Sequence, residues 1–161
     1  MFSARYVDTD VERARWRFTT NYRVLPSLQV GVEFNATVAE FSPLATWFIT
    51  TETAQRPALI LGTSSDRIGS PEGTQAYFAT VSKRLSETGT TAYFSLNYSE
   101  LDDGMNFPFG AAQEIGQKFA VRYMFDGRRS HALLDYYQDR VGVSLMWVWL
   151  EQFGVALHGG F

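Results

Sequence analysis

Over most of its length this chain alternates apolar and polar residues one by one, and that period leaves few folds open. Ala14, Trp16, Phe18, Tyr22 and Val24 alternate with Arg13, Arg15, Arg17, Thr19, Asn21 and Arg23. A helix would spread those arginines around its circumference, whereas a strand gathers them on one face. Leu25-Pro26-Ser27 breaks the run. Alternation then resumes, with Leu28, Val30, Val32, Phe34, Ala36 and Val38 against Gln29, Gly31, Glu33, Asn35 and Thr37. Two such runs around a short turn read as a β-hairpin.

The rhythm continues to the end of the chain. Leu44 to Thr53 is rich in Thr and aromatics, which suit a pleated surface. Ala54-Gln55-Arg56 reads as a turn, and Pro57 opens the strand Ala58 to Thr63. Ser64 to Gly73 is a loop by composition. Thr74 to Leu85 fits a strand by alternation, and also a helix opened by Ser70-Pro71 and closed by Gly89. Glu87-Thr88-Gly89 is a turn before the apolar face of Ala92, Phe94, Leu96 and Tyr98. Leu101 to Ala112 reads as a second loop. Phe119, Val121, Tyr123 and Phe125 lead into Asp126-Gly127, a strong hairpin signal because both central positions of a type I′ turn need positive φ. Ser130 to Gln138 returns, and Val141 to Trp149 follows. After a turn at Glu151-Gln152, Phe153, Val155, Leu157 and Phe161 line one face of the last strand.

About ten strands fill this length, with eight as the alternative. A flat sheet that wide exposes two edges, and closure removes them. The expected fold is therefore a closed antiparallel up-and-down β-barrel over residues 13–161, with residues 1–12 as a flexible or docked arm. Composition agrees. Charged residues are 19% and aromatics 16%, with 13 glycines, against a usual charged quarter. A net charge of −3 offers nucleic acid no electrostatic footprint. Without cysteine and with two histidines, the chain offers no cysteine or histidine-rich metal site. No cofactor is expected. The densest apolar stretch, Leu145 to Leu150, falls far short of the roughly 20 residues of a spanning helix.

The closing segment, Phe153-Gly-Val155-Ala-Leu157-His-Gly159-Gly-Phe161, resembles the last strand of bacterial outer-membrane β-barrel proteins. These typically end in an aromatic residue preceded by alternating hydrophobics. The resemblance implies an outer-membrane location, a lipid bilayer as surroundings, and Phe153, Val155, Leu157 and Phe161 as a signal read by the barrel-assembly machinery. It also requires that a leader has been removed, because Met1 to Arg5 does not look like one. Trp16, Tyr22, Trp47, Tyr98, Tyr123, Tyr136 and Trp149 fall near predicted strand ends, where interfacial girdles belong. One count departs from the family. With ten strands, the short turns at Pro26, Gln55, Gly89, Gly127 and Glu151 lie opposite the termini and the loops 64–73 and 101–112 lie beside them. This inverts the usual asymmetry.

In such a barrel Arg13, Arg15, Arg17, Arg23, Glu33, Lys118, Arg122 and Asp135 form a lumenal charge network. Buried charges need partners, and the expected result is a narrow, plugged lumen with a structural, anchoring or partner-binding role. Asp66, Arg67, Asp102, Asp103, Phe107 and Phe109 are the candidate loop contacts for another envelope protein. Two other readings fit the alternation. A soluble barrel would turn the apolar faces inward around an apolar ligand. An enzyme acting on lipid would need His131 or His158 beside a serine and a carboxylate. No local pattern links either histidine to such partners, and no catalytic residue is assigned. Asp102-Asp103-Gly104 is explained by turn chemistry. The loop 64–73 lacks the Lys-Ser/Thr of a phosphate loop.

Overall fold

A computed structural model describes residues 1–85 and 88–160. It contains strands β1 (Phe2–Val7), β2 (Trp16–Leu25), β3 (Leu28–Asn35), β4 (Glu40–Thr50), β5 (Ala58–Ser65), β6 (Gln75–Leu85) and β7 (Thr90–Ser99). These are followed by β8 (Gly104–Asn106), β9 (Phe109–Ile115), β10 (Phe119–Phe125), β11 (Ser130–Gln138), β12 (Val141–Val148) and β13 (Gln152–Gly159). One short helix, α1 (Glu12–Arg15), joins β1 to β2. Each strand pairs antiparallel with its neighbours, and β13 returns to β1, so the sheet is a closed barrel. β8 pairs with Asn97–Ser99 of β7 and β9 with Thr90–Phe94 of the same strand, so the two share one place in the wall. The barrel thus has 12 strand positions, close to the ten expected.

The two extra positions have identifiable origins. Phe2–Val7 is a wall strand between β13 and β2, where an arm was expected. Its apolar alternation rests on Phe2, Ala4 and Tyr6 alone, too short a run to stand out. Residues 101–112 contain only a tight turn, and the chain then pairs again at Gly104. Phe107-Pro108 interrupts that pairing because proline brings no N–H, yet the Pro108 carbonyl still accepts from Ser95 N at 2.8 Å. Residues 75–85 are strand, because both neighbours pair along most of them and no helix could meet that ladder. Arg13 to Arg15 leave the alternating run and form α1, with β2 beginning at Trp16. The turn at 126–129 is longer than a two-residue hairpin. Asp126 Oδ1 accepts the Arg128 and Arg129 amides at 2.9 and 2.8 Å while Gly127 takes φ 102°. The turn expected at 87–89 is described only at Thr88 and Gly89, since Glu87 lies outside the described residues.

The two added strand positions also change which end the loops between β1 and β9 occupy, while the turns after β10 and β12 stay opposite the termini. Connections 26–27, 51–57, 116–118 and 139–140 lie at the end where β1 starts and β13 finishes, together with the turn at Gly89. Connections 8–15, 36–39, 66–74, 100–103, 126–129 and 149–151 lie at the other, here the far end. The loop 66–74 is therefore opposite the termini. The inverted asymmetry expected from ten strands is corrected.

The two faces of the wall differ sharply. Trp16, Phe18, Tyr22, Val30, Val32, Phe41, Trp47, Leu61, Phe94, Leu96, Val121, Tyr123, Trp147, Phe153 and Leu157 point outward and are exposed, Tyr22 at 71%. Among the described residues the buried apolar side chains are Val7, Ala14, Ala76, Ala120, Leu133 and Val148, none larger than leucine. Arg5, Glu33, Asn35, Ser42, Ser95, Ser99, His131, Asp135 and Ser144 are buried instead. The barrel is apolar outside and polar inside.

Candidate functional site

Strand register places the inner polar residues side by side. One continuous rung of paired positions runs Glu40, Asn35, Arg17, Arg5, Ala156, Ser144, Asp135, Ala120 and Glu114 across nine neighbouring strands. Arg17 Nη1 meets Glu33 Oε2 at 3.0 Å. Glu33 Oε1 also accepts from Ser65 Oγ at 2.6 Å and from Asn35 Nδ2 at 3.2 Å. Across the lumen wall, Arg122 Nη2 donates to Asp135 Oδ1 at 2.8 Å and Ser144 Oγ donates to the same carboxylate. Asp135 has no solvent exposure, so its charge is stabilised by these donors and not by water. Interior glycines make room for the larger side chains. The Phe78 ring would meet a Cβ on Gly62 at 2.4 Å, and the His158 ring one on Gly142 at 2.1 Å.

The loop 66–74 folds over the far mouth and is tied down by charge-assisted hydrogen bonds, the stronger class. Asp66 Oδ2 accepts from Ser99 Oγ at 2.6 Å and from Leu101 N at 3.1 Å. Arg67 Nη2 donates to Asp102 Oδ1 at 2.7 Å, and Arg128 reaches the same carboxylate. Arg13, carried inward by α1, donates to the Ser70 carbonyl at 3.3 Å and to Glu40 Oε1 at 3.1 Å. Glu40 Oε1 in turn accepts from Gly73 N at 2.6 Å. The Arg67 hydrogen bond holds the Asp102 carboxyl below the usual carboxylate range. Burial disfavours the Asp126 carboxylate, but hydrogen bonds from His131 and from the Arg129 and Arg128 amides outweigh that and lower its pKa.

Beneath this cap lies a cavity of about 420 Å³ whose wall includes Arg5, Arg17, Arg122, His131 and His158, with Asp66 and Arg67 of the cap above. Arg122 also lines a space of about 520 Å³ among Glu114, Lys118 and Tyr137, and His158 lines one of about 160 Å³ near Met1 and Arg140. These two spaces lie at the end where β1 begins, so the lumen has cavities from that end up to the cap. Twelve strands enclose more interior than ten, and the side chains do not fill it.

The charged residues expected in the lumen divide into several groups. Arg17 and Glu33 form one internal pair, and Arg122 and Asp135 another. Arg13 sits in the cap. Arg15 donates to the Thr9 carbonyl at 3.0 Å. Arg23 lies 4.8 Å above the Phe48 ring, and Lys118 sits in a turn at the near mouth. Of the expected loop contacts, Asp66, Arg67 and Asp102 are engaged in the cap. Asp103, at φ 46°, accepts from Tyr98 Oη at 2.7 Å. Phe107 and Phe109 are exposed, Phe107 stacked near Phe94 and Phe109 tilted against Phe125. Phe153 and Leu157 point outward and Val155 shares their face, while Phe161 lies outside the described residues. Arg5 and Glu40 were not singled out from the sequence, because each is one isolated charge whose neighbours come from other strands.

His131 Nε2 lies 3.0 Å from Asp126 Oδ2 and, facing a carboxylate, donates to it. His158 stands opposite Ser3 in the ladder, and its ring packs 5.6 Å from Tyr137. Among the described residues neither histidine is hydrogen-bonded to a serine. No group of three or more metal-ligating side chains occurs among them either.

The fold and its interior define a closed antiparallel β-barrel with an apolar exterior, internal salt bridges and one capped mouth. No protein-family model, curated protein or solved structure matches the chain.

Proposed function

We propose that this chain is a small integral β-barrel of a bacterial outer membrane, with a structural, anchoring or partner-binding role. One observation carries the reading. Large apolar side chains are exposed around the barrel while arginines and carboxylates are buried inside it. In water that arrangement forfeits the hydrophobic contribution of those side chains, roughly 25 cal/mol per Å² of apolar surface left wet. In a bilayer the same surface is matched to its solvent, and the closed sheet leaves no edge unsatisfied. A ten-residue strand at about 3.3 Å per residue, tilted about 40–45°, rises about 24 Å, near the height of an outer-membrane apolar band. The even number of strand positions and the mostly shorter turns at the terminal end fit the same class.

On this reading the barrel-assembly machinery handles the closing strand, with Phe153, Val155 and Leu157 on its lipid face. The capped end faces outward, and the exposed Phe107, beside the strand break at Pro108, is the surface for another envelope protein. The charges buried in the lumen speak against a soluble barrel holding an apolar ligand.

The test is detergent dependence together with gel migration of boiled and unboiled protein. The expected result is a folded species only in detergent or lipid, migrating differently from the boiled form. Monodisperse folded protein in plain buffer contradicts the proposal.

A further inference from the structure

Among the described residues, Arg5 is an interior cation with no hydrogen bond or ion pair of its own. Arg5 is 9% exposed and lines the cavity, and its Nε has no hydrogen-bond partner. Its neighbour on β2 is another arginine, Arg17, and its neighbour on β13 is Ala156, too small to reach it. The carboxylates around the cavity are engaged elsewhere. Glu33 takes Arg17, Ser65 and Asn35, and Asp135 takes Arg122 and Ser144. Asp66 takes Ser99 and the Arg67 and Leu101 amides, and Asp126 takes His131. A guanidinium has five donors in a planar fork shaped for oxyanions, and a buried one whose nearby carboxylate, Glu33, is already bound to another guanidinium is costly.

We infer that the lumen is a binding site for a small water-borne oxyanion, a phosphate or carboxylate, held by Arg5 beside Arg17. The cavity of about 420 Å³ lies at the low end of small-molecule sites. It accommodates a phosphate-sized ion or a small organic acid with water. The surrounding wall is a continuous hydrogen-bonded sheet, so the ion arrives along the lumen and not sideways from lipid. Small side chains keep the seat open, Ala156 beside Arg5 and Gly154 two residues earlier on the same inner face. The inference rests on the polar interior alone and stands whether the barrel is surrounded by bilayer, detergent or water.

The probe is inorganic phosphate, added to folded barrel carrying ¹⁵N-arginine, with sodium chloride at equal ionic strength as control. The Arg5 Nε–H resonance shifts saturably with phosphate, with a dissociation constant of about 1 mM or tighter. Arg5→Met weakens phosphate binding about tenfold or more in calorimetry. Without phosphate, R5M is at least as stable as the parent, because it removes an unpaired buried charge. Phosphate raises the unfolding midpoint of the parent and not of R5M. An Arg5 resonance unmoved at roughly 10 mM phosphate, ten times the weakest constant allowed, overturns the inference. So does equal stabilisation of parent and variant, or an equal effect from chloride. If R5M fails to fold, the resonance titration of the parent decides alone.

Discussion

At the scale of the residue, Asp135 shows what the interior costs and what it specifies. It accepts from Arg122 and Ser144 at a position closed to solvent. Asp135→Asn removes the charge while keeping the shape, and leaves Arg122 facing a neutral amide. The expected loss is about 2–3 kcal/mol of unfolding free energy, measured by urea titration of the refolded barrel. An unchanged midpoint would mean that lumenal water solvates Arg122 well enough to replace the carboxylate. Single residues are also where the sequence is least legible. Arg17, Glu33, Arg122 and Asp135 were recognisable as inward charges because the period of two assigns their face. Their pairing was not, since Arg122 and Asp135 meet only through the β10–β11 register. Arg5 lay in a run too short to reveal its alternation.

Among the elements, the loop 66–74 has the clearest mechanical role, that of a cap latched by Asp102. The Arg67 hydrogen bond lowers the folded-state pKa of Asp102 below its unfolded value, which is about 3.9 for an aspartate. The latch therefore contributes fully above that value and is lost as pH falls from there through the lowered folded pKa. Asp126, lowered by His131 and two backbone amides, acts in the same window. The protection of the amides of residues 66–74 against hydrogen exchange, relative to their intrinsic rates, should stay constant at pH 5–7 and fall below about pH 4. Asp102→Asn should loosen the loop at neutral pH, seen as trypsin cleavage after Arg67 about tenfold faster than in the parent. Equal cleavage would assign the closure to Asp66 and Arg13 instead. The strands themselves were largely legible, because hairpins such as β10–β11 carry both alternation and a turn signal. β8 and β9 were not. Gly104, Pro108 and Gly110 give that stretch a loop's composition, while its pairing with β7 is set by a strand before it in sequence.

For the whole molecule, two missed strands reversed a global conclusion. Each added strand flips the end at which every later loop lies: counting β1 moves the loop 66–74 to the end opposite the N-terminus, and counting β9 brings the C-terminus back beside the N-terminus. Closure, by contrast, could be argued from edge avoidance without the exact count. The surroundings of the barrel are an energetic question with a sharp answer at single outward positions. Val121, outward on β10, when changed to Arg should cost about 2–4 kcal/mol in phospholipid vesicles if it lies near the midplane. The same change would cost almost nothing on a water-exposed face, within about 0.5 kcal/mol. The chain has no cysteine, so any introduced thiol carries a unique label. The most direct measurement places a fluorophore at outward Val30 or Val121 and at inward Thr19 or Ser144, in vesicles with and without brominated acyl chains. Strong quenching is expected at the two outward positions and little at the inward ones. Equal quenching on both faces, or none outside, would contradict it.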